Sequence, residues 1–176
     1  MTLAPGTYTI DPSHTEVGFT VRHAGISKVR GQFTEFAGDI TVAESFADSA
    51  VNVTIQSGSV DTRDENRDNH LRSADFWDSE NKPTWTFAST GVEGSGEEFT
   101  VHGDLTINGV TKPVALAVEY NGAATDPFGN KRVGFSATTE VSRKEFGLTW
   151  NAALETGGVL VGDKIRIAME ISAIAA

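Results

Sequence analysis

Apolar and polar residues alternate with a period of two along most of this chain. Over residues 16–23, Val17, Phe19, Val21 and His23 fall on one face. Val51, Val53 and Ile55 alternate with Asn52, Thr54 and Gln56, and Trp85 and Phe87 fall together shortly after. Phe99, Val101, Gly103, Leu105 and Ile107 line up, followed by Val114, Leu116, Val118 and Tyr120. Val133, Phe135, Ala137 and Val141 share a face with Thr139 among them, and Ile165, Ile167, Met169 and Ile171 close the series. Successive side chains of a strand point to opposite faces, so each run predicts a strand with one buried side. With shorter runs at residues 8–10 and 29–36, the pattern predicts about eight strands, or a few more. Such one-sided strands belong to antiparallel sheets. Many of them in one domain must hide their edges, and a closed barrel does so most completely. The expected fold class is therefore all-β, a single antiparallel barrel. No repeat or linker interrupts it, so residues 1–176 are expected to form one domain.

The punctuation supports this pattern. Asn108-Gly109 between two strands is a strong hairpin signal, because a type I′ turn needs positive φ at both central residues. Gly38-Asp39 and Gly129-Asn130 suggest further reversals. One segment departs from the pattern. Thr62-Arg63-Asp64-Glu65 fits a capping box, with the Thr62 hydroxyl on an early helix amide and Glu65 reaching back. Residues 63–77 are expected to form one or two short helices docked at a barrel end through Leu71, Phe76 and Trp77, stopped by Pro83. Asp68 and Arg72, four apart, would share a helix face there.

Composition narrows the function. A formal net charge of −10 argues against a nucleic-acid binder, which needs a basic stripe, and against broad attachment to anionic headgroups. The chain has no cysteine, which excludes disulfides, thiolate catalysis and Cys-type zinc sites. No secretory leader pattern and no apolar run long enough to span a bilayer are visible. A cytoplasmic location is the expectation, although a trimmed periplasmic or secreted chain would look the same.

The candidate chemistry is sparse. His14, His23, His70 and His102 show neither HxH nor HExxH spacing, so no metal site is expected. Asp11, Ser13 and His14 carry the residue types of a hydrolase triad. Chain neighbours seldom form one, and Asp11-Pro12-Ser13-His14 reads better as a turn. His23 should point into the barrel or its mouth, either bonded to a backbone carbonyl or contacting a ligand head. Arg143 is open to two readings, a surface salt bridge or a guanidinium for phosphate or carboxylate. Gly103 and Ala137 at inward positions would leave room inside. An eight-stranded barrel is either filled by side chains or holds one small ligand, and composition is compatible with both.

Longer motifs carry a family resemblance. Tyr8-Thr9-Ile10-Asp11-Pro12-Ser13-His14, then Val17-Gly18-Phe19 and Val29-Arg30-Gly31-Gln32-Phe33, open the chain. Arg67-Asp68-Asn69-His70-Leu71-Arg72-Ser73-Ala74-Asp75-Phe76-Trp77 is the most specific stretch. Gly103-Asp104-Leu105-Thr106-Ile107-Asn108-Gly109 and Arg143-Lys144-Glu145-Phe146-Gly147-Leu148 follow in order. In these motifs the chain resembles the YceI-like polyisoprenoid-binding proteins over nearly its whole length. The resemblance implies a lipocalin-like antiparallel barrel, often dimeric, whose apolar tunnel takes a long isoprenoid or similar amphiphilic chain. Many members carry a signal peptide, and this chain departs from them in showing none.

On that basis Phe19, Val21, Val53, Trp85, Phe87, Leu105, Phe135, Phe146 and Ile167 are expected to line a tunnel. His23, Asp68, His70, Arg72 and Arg143 are expected at a polar mouth. No cofactor is expected beyond a polyisoprenoid or quinone-like lipid held as ligand. The expected assembly is a homodimer, without nucleic acid and without stable membrane insertion. Two other readings stay open: an enzyme acting on such a lipid through His23 or His70, and a filled barrel serving as an interaction module.

Overall fold

A computed structural model describes residues 3–176. Its strands are β1 (Gly6–Ile10), β2 (Glu16–His23), β3 (Ser27–Phe33), β4 (Phe36–Val42), β5 (Ala50–Gln56), β6 (Val60–Asp61), β7 (Thr84–Glu93), β8 (Glu98–Ile107), β9 (Val110–Thr125), β10 (Lys131–Ser142) and β11 (Lys164–Ala175). A single α-helix, α1 (Glu65–Arg72), lies between β6 and β7. The antiparallel sheet runs in the order β1-β4-β5-β7-β8-β9-β10-β11, and β11 returns to β1 through Tyr8↔Ala175, Thr9↔Ile174 and Ile10↔Ala173. These pairings close an eight-stranded barrel.

The remaining strands are continuations of the first three barrel strands. β2 follows β1 and also pairs with β11, further along, from Glu16↔Glu170 to Thr20↔Arg166. β3 leads into β4, and β6 continues β5, so β2–β3 and β3–β6 extend the same hairpins past a kink. Each kink has an identifiable cause. Pro12 has no N–H to give a ladder, and the Asp11 side chain instead accepts from the Ser13 amide. Between β3 and β4, the amides of Thr34 and Glu35 are drawn to Ser59 Oγ. Between β5 and β6, the fully buried Ser57 directs its hydroxyl to Ser79 Oγ and to the carbonyls of Lys82 and Pro83.

Asn108 and Gly109 have φ of 55° and 77°, as a type I′ hairpin requires. Gly38 does not reverse the chain. It lies within β4, where a Cβ would stand 2.6 Å from the Asn52 carbonyl oxygen and 2.9 Å from Ile10 Cδ1. Gly103 likewise leaves no free space, because the Phe87 ring occupies the position of its missing side chain. The β9–β10 reversal is organised by Asp126, whose carboxylate takes the amides of Phe128 and Asn130 and the side chains of Asn130 and Arg132.

Helix α1 begins two residues later than the Thr62 capping box predicts. Asp64 is its N-cap, accepting from the Arg67 amide at 3.0 Å. The Thr62 hydroxyl goes instead to Asp68 Oδ1, which also accepts the Thr62 amide. A buried carboxylate needs donors, and Thr62 supplies two. A helix without an apolar stripe is thus held to the barrel by polar contacts at one face and by Leu71, Phe76 and Trp77 at its end.

Candidate functional site: an apolar tunnel through the barrel

The inward faces of the strands do not fill the barrel. They enclose a cavity of about 240 Å³ whose lining reaches both ends. At one end are Leu3, Val42, Phe46, Ser49 and Val92. At the end beside α1 are Leu71, Phe76, Trp77, Phe146, Leu148 and Val161. Along β8 the lining extends from Phe99 to Ile107, roughly 27 Å of strand at about 3.4 Å per residue. Thr15, Ser49, Thr139 and Arg143 are its polar side chains; the rest of the wall is aliphatic or aromatic, apart from Gly18.

All nine residues expected in a tunnel lie on this wall: Phe19, Val21, Val53, Trp85, Phe87, Leu105, Phe135, Phe146 and Ile167. Alternation located eight of them because they sit inside strands; Phe146 lies in the turn of residues 143–146 after β10. It missed strand residues such as Ile40, Val42 and Val92, and others from irregular segments. Phe46 lies in the loop after β4, Phe76 and Trp77 follow α1, and Val161 precedes β11. Trp77 packs edge-on to Trp85 at 5.0 Å between ring centres, and Phe33 lies against both. This aromatic group lies on the cavity wall beside α1.

The expected polar mouth is not assembled. His23 follows Val21 on the same strand face, but it is the last residue of β2, it is not on the cavity wall, and the side chain is exposed. Asp68 is buried on Thr62, and Arg72 donates from Nε to the Gly58 carbonyl and from Nη2 to the Val60 carbonyl. These two residues fasten α1 to the β5–β6 strand and do not pair with each other. Half-buried His70 bonds Asp75 through Nε2 at 2.8 Å and lies edge-on to Phe76 and Trp150.

Arg143 alone of the five reaches the cavity, and it is neither at the surface nor in a salt bridge. It is 4% exposed, and its guanidinium donates to the carbonyls of Gly162, Leu148, Trp150 and Val161. Burial pushes its pKa down, against the opposing charge of Asp163. Its geometry is that of a staple on residues 147–163. The other candidate cluster also differs from a catalytic site. Ser13 Oγ lies 3.0 Å from His14 Nδ1, and Asp11 Oδ2 lies 2.9 Å from the same nitrogen. A triad uses the two ring nitrogens for different partners. Arg132 donates to Asp11 Oδ2 at 2.7 Å, which completes a structural corner. Among the described residues, no group of three His, Cys, Asp or Glu side chains could hold a metal ion.

The model of the YceI-like domain family matches residues 8–173. The chain belongs to the YceI-like family. Within that family it is 45% identical over 144 residues to Protein YceI of Escherichia coli O157:H7, covering 80% of this chain and 75% of that protein. Two solved structures extend the likeness at the level of fold. BcnA of Burkholderia cenocepacia superposes with a TM-score of 0.81 at 20% identity, covering 93% of this chain and 98% of that one. A polyisoprenoid binding domain from Saccharophagus degradans, implicated in plant cell wall breakdown, superposes at 0.74 with 14% identity, covering 96% and 98%. The fold of these solved structures is thus shared over nearly the whole chain.

Proposed function

We propose that this protein binds one long apolar lipid chain, of isoprenoid or quinone-like type, inside the barrel and acts as its carrier or store. The observation that carries this reading is the continuous cavity, walled almost wholly by hydrocarbon from Phe46 to Phe76. An unfilled space of that kind forfeits packing energy unless something occupies it. A hydrocarbon chain makes no hydrogen bonds, so its affinity must come from buried area, about 0.8 kcal/mol per CH₂ before ordering costs. A tunnel longer than it is wide, with few polar groups, suits an extended chain better than a compact or charged ligand. The description of the Saccharophagus domain as polyisoprenoid binding agrees with this choice of guest. Binding also accounts better than catalysis for the polar side chains, since the histidines, Asp68 and Arg72 all lie off the cavity wall.

Native mass spectrometry of the purified protein, followed by lipid extraction, tests the proposal. The expected spectrum shows protein carrying one hydrophobic guest, or acquiring one when a polyprenyl alcohol or ubiquinone is added. Protein that is always empty and indifferent to both lipids overturns it.

A further inference from the structure

The α1 end of the barrel carries an exposed apolar tip set among unpaired cations. The β2–β3 hairpin turns through Ala24 and Gly25, whose φ values are 52° and 71°. Ala24 thereby holds a left-handed conformation that non-glycine residues seldom adopt. This turn projects Ile26, which is 88% exposed. The segment preceding β11 lies alongside: the Ala24 amide donates to the Leu160 carbonyl at 2.7 Å, and the Gly162 amide donates to the Arg22 carbonyl at 2.9 Å. Val159 on that segment is 52% exposed. The apolar tip lies next to the tunnel, because Val21 and Val161 on the same two segments line the cavity.

The hairpin that carries the tip is basic, opposite in sign to the molecule. Arg22, Lys28 and Arg30 are exposed on the hairpin, and residues 17–34 contain no carboxylate. Glu155 is the one carboxylate of residues 147–162. Among the described residues none of these three cations is in a salt bridge. At the far end, the loops between β4 and β5 and between β7 and β8 carry Glu44, Asp48, Glu97 and the flanking Glu93 and Glu98, with no lysine or arginine. Residues 61–82 at the same end as the tip carry seven carboxylates against four lysines and arginines, so the excess of cations is confined to the hairpin, and it is the hairpin that an anionic surface would attract.

We propose that this tip, centred on Ile26 and Val159, docks reversibly onto an anionic phospholipid bilayer and so places the α1 end of the tunnel against the membrane. The proposal extends the lipid-binding function, which supplies the reason for meeting a bilayer, but the docking itself needs no guest. Two exposed aliphatic side chains flanked by basic ones match the boundary between acyl chains and headgroups, where each kind of contact adds to the other. The small apolar area makes the contact shallow, short of insertion.

The test is co-sedimentation of the intact protein with extruded vesicles. One set is phosphatidylcholine alone, and the other is phosphatidylcholine mixed with phosphatidylglycerol. Binding is expected to the anionic vesicles only, and to weaken as salt is raised. Ile26→Asp is expected to reduce the affinity by about tenfold or more, and Lys28→Glu to reduce it in the same direction. Phe128→Asp, which replaces an exposed side chain of the far end, is expected to leave it unchanged. Thermal unfolding and size-exclusion profiles accompany each variant. The proposal is overturned if wild type ignores anionic vesicles at low salt, or if correctly folded Ile26→Asp protein still binds them as well as wild type. It is equally overturned if Ile26→Asp converts a dimer to a monomer, which would make the tip a contact with a second copy. Vesicle binding by a protein that is always empty in native mass spectra would leave docking standing and remove the tunnel function alone.

Discussion

At the scale of single residues, Arg143 shows how a charged side chain can serve an apolar cavity. It is a long cation buried beside hydrocarbon, yet its donors are spent on backbone carbonyls of one irregular segment. Those carbonyls belong to residues 148–162, where little regular ladder exists to satisfy them. Arg143→Met keeps most of the packing but removes every donor, leaving buried carbonyls unpaired. The expected cost is about 3 kcal/mol of stability, measured by urea unfolding, with increased proteolysis near residues 150–160. The residue type alone suggested a salt bridge or an anion site, because a sequence does not show which backbone acceptors will be left over. The same blindness affects His23: its strand face was legible, but where the cavity ends along β2 was not.

At the scale of elements, two polar clasps hold the less regular parts of the barrel. Asp68 accepts both donors of Thr62 and so anchors α1 to the strand before it. Asp68→Leu would strand a buried amide and hydroxyl, costing roughly 2 kcal/mol. Hydrogen exchange should then quicken in α1 before the barrel strands. The second clasp is Arg132 of β10, which donates to Asp11 beyond β1 and to Asp126 in the β9–β10 turn. Its hydrogen bonds are the largest cause holding both carboxyls well below the usual carboxylate range, and Ser13 and His14 add to the effect at Asp11. A depressed folded-state pKa means that the unfolded chain binds more protons in acid. The stabilisation is therefore complete above the unfolded aspartate value of about 4 and is lost as pH falls below it. Arg132→Gln should be less stable than wild type at neutral pH, and the difference should shrink steadily in melts taken below about pH 4. A deficit of constant size at every pH would show that the clasp does not act through these carboxylates. Neither clasp was visible in the strand pattern, since each joins residues through turns whose geometry period-two alternation does not encode.

At the scale of the whole molecule, the central question is whether the barrel stays hollow. Leu116 of β9 lines the cavity and is only partly covered by its neighbours. Leu116→Trp adds bulk into that space without touching the strand ladder. Loss of the bound lipid in native mass spectra is expected, with an unfolding midpoint within about 1–2 kcal/mol of wild type, because overpacking and gained contact partly offset. Retention of the guest at wild-type level would locate it elsewhere. Alternation determined by itself that β8, β9, β10 and β11 each bury one face, and the Asn108-Gly109 turn determined how two of them join. Those features depend on neighbours in sequence, through pleat and turn dihedrals. The motifs added the family, and with it the expectation of a tunnel. Three things were decided only in the tertiary structure. Gly103, whose missing side chain suggested space, is filled by the Phe87 ring, because cross-strand register determines what faces a glycine. The breaks of the second and third barrel strands at residues 34–35 and 57–59 depend on polar partners some 25 residues along the chain. The distribution of surface charge, hidden in a single net value, emerges when the fold sets the basic β2–β3 hairpin at the end opposite the acidic β4–β5 and β7–β8 loops. Residues distant in sequence acquire a common electric field only once the fold has brought them together.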